Sequence, residues 1–226
     1  MGGRVPGNAR SGSSSGGSVS TGVIDYGAGN LKSVETALRA LSADFLVSSE
    51  PDALSGCDRL IFPGVGDAAA AMREMKAGGM DDLLTRFATE GSPVLGICLG
   101  AQIVLERSEE SGATCLGLIP GEARAFPQDA GYKVPHMGWN RVVPSRYAGK
   151  SGKHPIFENI PEDASFYFVH SYYPLPTGDE YVLATTEYIH TFASAVAKDN
   201  VLAVQFHPEK SGRFGLRLLE NFLSFN

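Results

Sequence analysis

A cysteine between two glycines is the residue of this sequence whose setting best suits covalent chemistry. Residues 96–100 read GICLG, with Cys98 at the centre, and this glycine–x–nucleophile–x–glycine form is typical of a tight turn from a strand into a helix. Such a turn strains its central residue and holds the side chain above the sheet, while the glycines relieve crowding. The dipole of the following helix would favour the thiolate. A structural cysteine packed between two glycines has the same sequence, so the turn alone leaves both interpretations open.

A histidine and a glutamate near the C-terminus could activate that cysteine. Residues 205–210 read QFHPEK and place His207 at the exit of an apolar run, where sites gather in open α/β sheets. Side chains at i and i+2 of an extended chain point the same way, so Glu209 can bind one ring nitrogen and leave the other to take a thiol proton. Alone, either residue would be an ordinary solvated side chain. Their coincidence with the turn favours a triad of Cys98, His207 and Glu209.

The elements that must position these residues alternate between strand and helix. Apolar runs predict strands ending at Asp25 and spanning 45–47, 59–62, 94–97, 166–169, 181–186 and 201–206. Helical spacing predicts helices from 31 to 41, from Asp67 through Met75, from Asp81 to about Glu90, from 101 to about 106 and around 214–222. Asn30 and Asp67 are the predicted N-caps. The pattern predicts an α/β, doubly wound, flavodoxin-like mixed sheet with helices on both faces, and antiparallel additions between 112 and 200.

The first 21 of the 226 residues differ from the rest in composition. Twelve of them are Gly or Ser, none is acidic, and they lack a signal-peptide apolar core. Such a stretch cannot bury enough apolar surface to offset its ordering entropy, so we expect a disordered native leader or tag. A transit peptide would need an amphipathic helical pattern, which the stretch lacks. Residues 22–226 suit one domain.

Charge and cysteine usage limit the class of function. The net charge is −6, and no basic run interleaves with aromatic residues, which argues against nucleic acid as a partner. No segment reaches the ~20 apolar residues of a membrane helix. The three cysteines have neither disulfide nor zinc spacing, so we expect a cytoplasmic protein without metal. The glycines at 27 and 29 match only part of a dinucleotide fingerprint, and no cofactor is expected.

Four further segments carry a family resemblance. They are residues 25–31 (DYGAGNL), 63–66 (PGVG), 135–140 (PHMGWN) and 167–172 (YFVHSY). With the triad, the sequence from Val23 to the C-terminus resembles the class I glutamine amidotransferases, the Cys-His-Glu glutaminases. More narrowly, it is similar to the family of glutaminase subunits of imidazole glycerol phosphate synthase, from histidine biosynthesis. The resemblance implies the class I glutamine amidotransferase fold and hydrolysis of glutamine to glutamate and ammonia through a cysteinyl thioester.

The resemblance also implies roles for residues around the triad. The oxyanion donors would be the N–H of Leu99 and one near Val65, in a loop where Gly64 and Gly66 let a peptide plane turn. We hypothesise that this loop is a gate that stays closed until a partner binds. Glutamine would be held by the residues Gln102, Ser171 and Tyr172. Without the resemblance, a helix-surface amide and strand-end hydroxyls are the simpler interpretations of those three.

A partner follows from the same resemblance, because nothing in these residues suits synthesis of an imidazole ring. The implied partner is a (β/α)8-barrel cyclase subunit that receives ammonia through an internal channel. Its interface would include Pro135, Met137 and Trp139, together with Asn30 and Lys210; ordinary core is the alternative for the first three. Rival functions are the glutaminase subunit of another amidotransferase, a cysteine hydrolase of γ-glutamyl substrates, and a non-catalytic binding module on the same fold.

Overall fold

The computed structural model describes residues 20–27, 30–128, 131–145 and 152–225. The leader up to residue 19 therefore lies outside the described residues, as do Ala28 and Gly29 of the segment 25–31. Thr21 is the first residue of strand β1 and is buried. Thr21 pairs with Phe45 of the next strand, and Ser20 before it exchanges hydrogen bonds with Asp58. Within the described residues, no helix is long and apolar enough to cross a bilayer.

An eight-stranded mixed sheet forms the centre of the molecule. Its strands, in spatial order, are β2 (Phe45–Ser48), β1 (Thr21–Ile24), β3 (Arg59–Gly64), β4 (Val94–Cys98), β14 (Val201–Val204), β13 (Thr191–Lys198), β12 (Val182–Glu187) and β9 (Val143–Pro144). The first five strands of that order run parallel, and the last three are antiparallel additions. The carboxyl ends of β4 and β14 therefore lie side by side, which brings the segments after them together.

Two smaller sheets lie beside the central sheet. One has the order β11 (Tyr172–Pro176), β7 (Gly121–Ala125), β5 (Arg107–Ser108), β6 (Ala113–Thr114). The other pairs β8 (His136–Arg141) with β10 (Ser165–His170) in antiparallel register. These sheets confirm the antiparallel additions predicted between 112 and 200.

Helices cover both faces of the central sheet, as predicted. They are α1 (Leu31–Ala40), α2 (Pro51–Leu54), α3 (Ala68–Gly78), α4 (Met80–Glu90), α5 (Leu99–Ile103) and α6 (Gly212–Leu223). One apolar core joins α1 and α6 to residues such as Val23, Ile61 and Leu95 of the strands. A second core contains residues of helices α2, α3, α4 and α5 and the alternate strand residues, such as Ile24 and Leu60. This alternation is the period-2 pattern of strands buried on both faces.

Two predicted elements are corrected near the site. The helix expected at 101–106 spans Leu99–Ile103, because the turn at Cys98 starts the helix at once and residues 107–108 already pair as β5. The strand expected at 201–206 ends at Val204. The N–H of Gln205 still donates to the Ser194 carbonyl oxygen on β13 at 2.9 Å. The N–H of His207 instead donates to the Tyr167 carbonyl oxygen on β10, also at 2.9 Å, so the chain has left the central sheet there.

The two predicted helix caps have different outcomes. Asp67 is confirmed, because its carboxylate accepts a hydrogen bond of 2.8 Å from the N–H of Ala70. Asn30 precedes α1 as predicted, but its side chain makes no cap hydrogen bond. Its ψ of 59° lies outside the extended region that lets an N-cap side chain turn back to the helix.

Candidate active site

The nucleophile turn has the strained geometry that its sequence predicts. Cys98 ends β4 with φ 57° and ψ −104°, in a region that few residues other than glycine adopt. A Cβ at Gly100 would lie 2.7 Å from the Phe62 carbonyl oxygen, and one at Gly96 would lie 2.9 Å from the Gly100 carbonyl oxygen. Only glycine fits on either side, so the close packing of strand and helix holds Cys98 in its strained conformation.

The Cys98 sulfur faces two polar groups from other elements. Its Sγ lies 3.7 Å from Nε2 of Gln205 and 3.9 Å from the Val169 carbonyl oxygen. The amide of Gln205 donates toward the sulfur, and Gln205 itself is buried. A donor in this position stabilises negative charge on sulfur. The sulfur therefore has polar neighbours, unlike a thiol in an apolar core.

His207 and Glu209 form the buried pair that the i, i+2 spacing predicts. Nδ1 of His207 lies 2.8 Å from Oε1 of Glu209, and both side chains are nearly inaccessible to solvent. Ser211 supports the pair, because its hydroxyl donates to the His207 carbonyl oxygen at 2.6 Å and accepts from the N–H of Tyr167 at 3.0 Å. The carboxylate thus orients the imidazole and leaves Nε2 for another partner.

The electrostatics of His207 favour a charged ring. Burial lowers its pKa, but hydrogen bonding to Cys98 and Glu209, together with the negative charge of both, outweighs burial and raises the pKa of His207 to about 9. Nε2 of His207 makes no hydrogen bond of full geometry to the described residues. The Cys98 sulfur is therefore near enough to raise the pKa of the ring without a well-aligned hydrogen bond, as is common in catalytic sites without substrate.

A cavity of about 330 Å³ opens onto Cys98 and His207. Most of the residues predicted for the site line it: Val65, Gly66, Cys98, Leu99, Gln102, Pro135, Ser171, Tyr172, His207 and Lys210. Gly64 and Glu209 are not among its lining residues, and neither are Asn30, Met137 and Trp139. The structure thus brings the predicted catalytic and glutamine-binding segments to one place.

Met137 and Trp139 lie on the outer face of β8, with 63% and 60% of their surface exposed. Pro135, just before the strand, is exposed as well. Ordinary core is therefore the wrong interpretation of these three residues. We call them the Pro135–Trp139 surface.

The loop of residues 63–66 approaches Cys98 from β3. Gly64 pairs with Cys98 in the sheet register, and a Cβ on it would lie 2.5 Å from the Tyr26 hydroxyl. Close approach, and not only backbone freedom, therefore requires glycine there. Gly66 has φ +95° and open space around it, as a turning residue needs. Val65 between them is 39% exposed.

The N–H of Val65 faces the buried Tyr26 hydroxyl. Burial and the charge of Cys98 raise the pKa of that hydroxyl, and the Val65 N–H opposes the rise. The contact falls short of full hydrogen-bond geometry, since the hydroxyl has no hydrogen-bond partner among the described residues. The Val65 N–H therefore lies beside the Tyr26 hydroxyl without a hydrogen bond of full geometry.

A comparison with known families now bears on this geometry. A model of the family "Glutamine amidotransferase class-I" matches residues 22–224. The chain is a class I glutamine amidotransferase. Proteins named imidazole glycerol phosphate synthase subunit HisH, from Nitrosococcus oceani and Methylococcus capsulatus, are 46% and 48% identical to it. The alignments span 92% and 90% of this chain and 98% and 95% of theirs.

Solved structures share the fold of this amidotransferase. PurLQS from Thermotoga maritima matches with a TM-score of 0.70 at 18% identity, over 91% of this chain and 97% of that one. A glutamine amidotransferase from the same organism matches with a TM-score of 0.59 at 17% identity, over 91% and 83%. At such identity the likeness concerns the fold, and it confirms the predicted fold class.

The sequence analysis assigned no site role to three residues that line the amidotransferase cavity, Glu110, Val169 and His170, or to the fully buried Gln205. Glu110 lines the cavity, and its Oε2 accepts a hydrogen bond of 2.8 Å from the N–H of Ala68 at the start of α3. Burial raises its pKa. Gln205 was noticed only as part of a motif, yet it links Gln102 to the Cys98 sulfur. The sequence offers one signal: Gln205 is an amide in an apolar run, where a buried polar group needs partners.

Proposed function

We propose that this chain is the glutaminase subunit of an imidazole glycerol phosphate synthase, which hydrolyses glutamine and passes the ammonia to a cyclase subunit. One observation carries the proposal: a cysteine on a strained turn and a histidine paired with a buried carboxylate line the same cavity in a class I glutamine amidotransferase. The high identity to proteins named HisH supports the choice of synthase.

The first step uses the charges of the resting pair. The Cys98 thiolate attacks the side-chain amide carbon of glutamine, forming a C–S bond and placing a negative charge on the amide oxygen. His207, with its raised pKa, holds a proton at Nε2 and transfers it to the amide nitrogen. Collapse of the intermediate breaks the C–N bond, releases ammonia and leaves a glutamyl thioester. Neutral His207 then takes a proton from a water molecule whose oxygen bonds to the thioester carbon. The C–S bond breaks, which releases glutamate and restores the Cys98 thiolate and protonated His207.

Glutamine is recognised by polar groups that line the cavity. Gln102, Ser171 and Tyr172 line it together with Cys98. Glu110 is the acidic side chain that the cavity exposes among the described residues, and it suits the α-ammonium group of an amino acid. A site with a carboxylate for the amino group and amides for polar atoms fits glutamine.

Control of the reaction is assigned to the loop of residues 63–66. The N–H of Leu99 supplies one oxyanion donor, and the N–H of Val65 supplies the second after it turns away from Tyr26. One missing donor typically costs on the order of 3 kcal/mol in the transition state. The isolated chain is therefore a slow glutaminase, and partner binding turns the Val65 peptide.

The Pro135–Trp139 surface is the docking site proposed for the cyclase, a (β/α)8 barrel. Exposed tryptophan and methionine are enriched at the centres of interfaces. Pro135 also lines the cavity, so a partner on this surface would lie next to the departing ammonia. Lys210, at the cavity, and Asn30 are assigned to the rim of the same interface.

Cysteine chemistry fits a cytoplasmic, reducing setting. Cys57, Cys98 and Cys115 are free, so none is withdrawn into a disulfide. Burial raises the pKa of the Cys115 thiol to about 11, which makes it an inert core residue and leaves the reactive role to Cys98.

Substitution Cys98→Ser in the assembled synthase tests the proposal. Glutamine-dependent turnover should fall at least about a thousandfold, because a hydroxyl at this position is a far weaker nucleophile. Turnover with an added ammonium salt should persist, since the acceptor site lies on the partner. Steady-state rates with each nitrogen source provide the measurement.

Cys115→Ser is the matched control, since it changes a thiol that is buried away from the cavity. It should leave the ratio of the two rates unchanged. A Cys98→Ser enzyme that loses both activities together would contradict the separation of glutaminase and acceptor sites.

A further inference from the structure

A line of hydrogen bonds connects β8 to the glutamine-binding wall through two buried histidines. Nδ2 of Asn140 lies 3.3 Å from Nε2 of His136, and Nδ1 of His136 lies 2.9 Å from Nε2 of His170. Nδ1 of His170 then lies 2.7 Å from the carbonyl oxygen of Tyr172. Neither the triad chemistry nor the substrate contacts described above use this pair of histidines.

The Tyr172 carbonyl oxygen is the last acceptor of this line of hydrogen bonds, and it determines which nitrogen of each histidine carries the proton. A carbonyl oxygen only accepts, so His170 carries its proton on Nδ1 and presents Nε2 as an acceptor. His136 must then donate from Nδ1, which leaves its own Nε2 to accept from Asn140. The Asn140 amide is oriented independently, because Nδ2 also donates to the Glu187 carbonyl at 2.8 Å and Oδ1 accepts from the Arg141 N–H at 2.8 Å. All the donors therefore point toward Tyr172.

Packing holds the rings in the planes that these bonds require. His136 is sandwiched between Tyr188 and Phe168, with ring centroids 4.0 and 4.8 Å away and interplanar angles of 23° and 26°. Burial lowers the pKa of His136 to about 4 and that of His170 to about 3. Both rings are therefore neutral near pH 7, as a chain with one donor per ring demands.

The line reaches the cavity at His170, which lines it, and the Tyr172 carbonyl then connects the line to Gln102. Nε2 of Gln102 donates to it at 3.2 Å and to Oε1 of Gln205 at 3.1 Å. Gln205 in turn directs its own Nε2 at the Cys98 sulfur. The position of one peptide carbonyl thus sets the orientation of an amide that faces substrate and of a second amide that faces the nucleophile.

We propose that Asn140, His136 and His170 are positioning residues that hold the Tyr172 peptide, and through it Gln102, in the geometry that binds glutamine. This assignment rests on the proposed glutaminase function. The line starts on the strand that carries Met137 and Trp139 on its opposite face, so it also connects the Pro135–Trp139 surface to the substrate wall.

Two substitutions of His170 separate the two ends of its ring. His170→Asn keeps a donor near the place of Nδ1, facing Tyr172, whereas His170→Gln keeps an acceptor near the place of Nε2, facing His136. In the synthase complex, His170→Gln should raise KM for glutamine about tenfold, as for one lost buried hydrogen bond, with kcat changed much less. His170→Asn should stay within about threefold of the parent KM. Equal values of KM in the two variants would overturn the proposal.

A third variant and a spectrum keep the test decisive if a His170 variant fails to fold. Asn140→Asp replaces the first donor with an acceptor at a half-buried position, and it should raise KM for glutamine severalfold; an unchanged KM overturns the chain. In the unsubstituted protein, ¹⁵N shifts should show both rings neutral and protonated on Nδ1, and any other tautomer overturns it. An unsubstituted complex that hydrolyses no glutamine would instead refute the proposed function, whatever the tautomers are.

Discussion

Two parts of the cavity lining differ in how closely they are packed: Cys98 and His207, the close-packed wall, and Val65 and Gly66, the turning wall. Backbone atoms lie within 3 Å of any Cβ at Gly96 or Gly100, but nothing lies within 4 Å of one at Gly66. The Glu209 side chain is almost fully buried, and Val65 is 39% exposed. The proposed nucleophile and its base are thus held by close packing, while the proposed oxyanion donor lies on a loop with open space around Gly66. The proposal assigns chemistry to the first wall and its control to the second.

The largest effect should come from the close-packed wall, at Glu209. Glu209→Gln leaves the shape unchanged but removes the charge that stabilises protonated His207, so kcat for glutamine should fall about a thousandfold or more. Steady-state glutaminase assays of the complex measure it. Glu220→Gln is the control, since it removes an exposed partner of Arg217 and should have no effect. A small loss in Glu209→Gln would mean that packing alone orients the imidazole.

A rise in pH tests the protonation of His207 without a mutation. His207 has a pKa raised to about 9, above the usual value near 6.5, so its proton is retained through neutral pH and is lost as the pH rises through about 9. Because that proton goes to the leaving nitrogen, kcat/KM for glutamine should fall to about a tenth of its plateau near pH 10. A pH–rate profile from about pH 6 to 10 checks this. A decline centred near pH 7 would contradict the charged pair.

The close-packed wall is also the part that could be predicted from the sequence. Cys98 with its glycines, and His207 with Glu209, are local patterns whose geometry follows from a strand-to-helix turn and from an extended i, i+2 pair. Glu110 could not be predicted, because its contact with Ala68 joins segments 42 residues apart through a loop without periodicity. The direction of the Val65 N–H depends on the burial of Tyr26, a tertiary fact. The ends of helix α5 and of strand β14 also differ from the predicted ends, because contacts with distant segments determine them.

In the turning wall, Gly66→Ala should change the basal glutaminase rate and its stimulation by the partner. The φ of +95° at Gly66 strains an alanine by about 1–3 kcal/mol, so the observed loop conformation becomes less populated. The basal glutaminase rate should rise and the stimulation ratio, with partner over without, should fall up to about tenfold. Rates with and without the cyclase measure the ratio.

Gly91→Ala is the matched control for that change. Gly91 has φ +82° and open space, at the end of α4, so alanine should cost similar stability there without altering the stimulation ratio. Thermal unfolding of both variants checks that the costs match. An unchanged stimulation ratio in Gly66→Ala would show that the loop of residues 63–66 does not control the glutaminase rate.

Tyr26→Phe should have the smallest effect and the most specific one. It removes a buried hydroxyl that lacks a hydrogen-bond partner among the described residues, so thermal stability should not fall. It also removes the group that the Val65 N–H faces, and that contact is weaker than a full hydrogen bond of about 1 kcal/mol. The basal rate of the isolated chain should therefore rise by less than about fivefold, while the rate in the complex stays the same. A basal rate that falls instead would show that the hydroxyl assists the oxyanion directly, and the two walls would then share the chemistry.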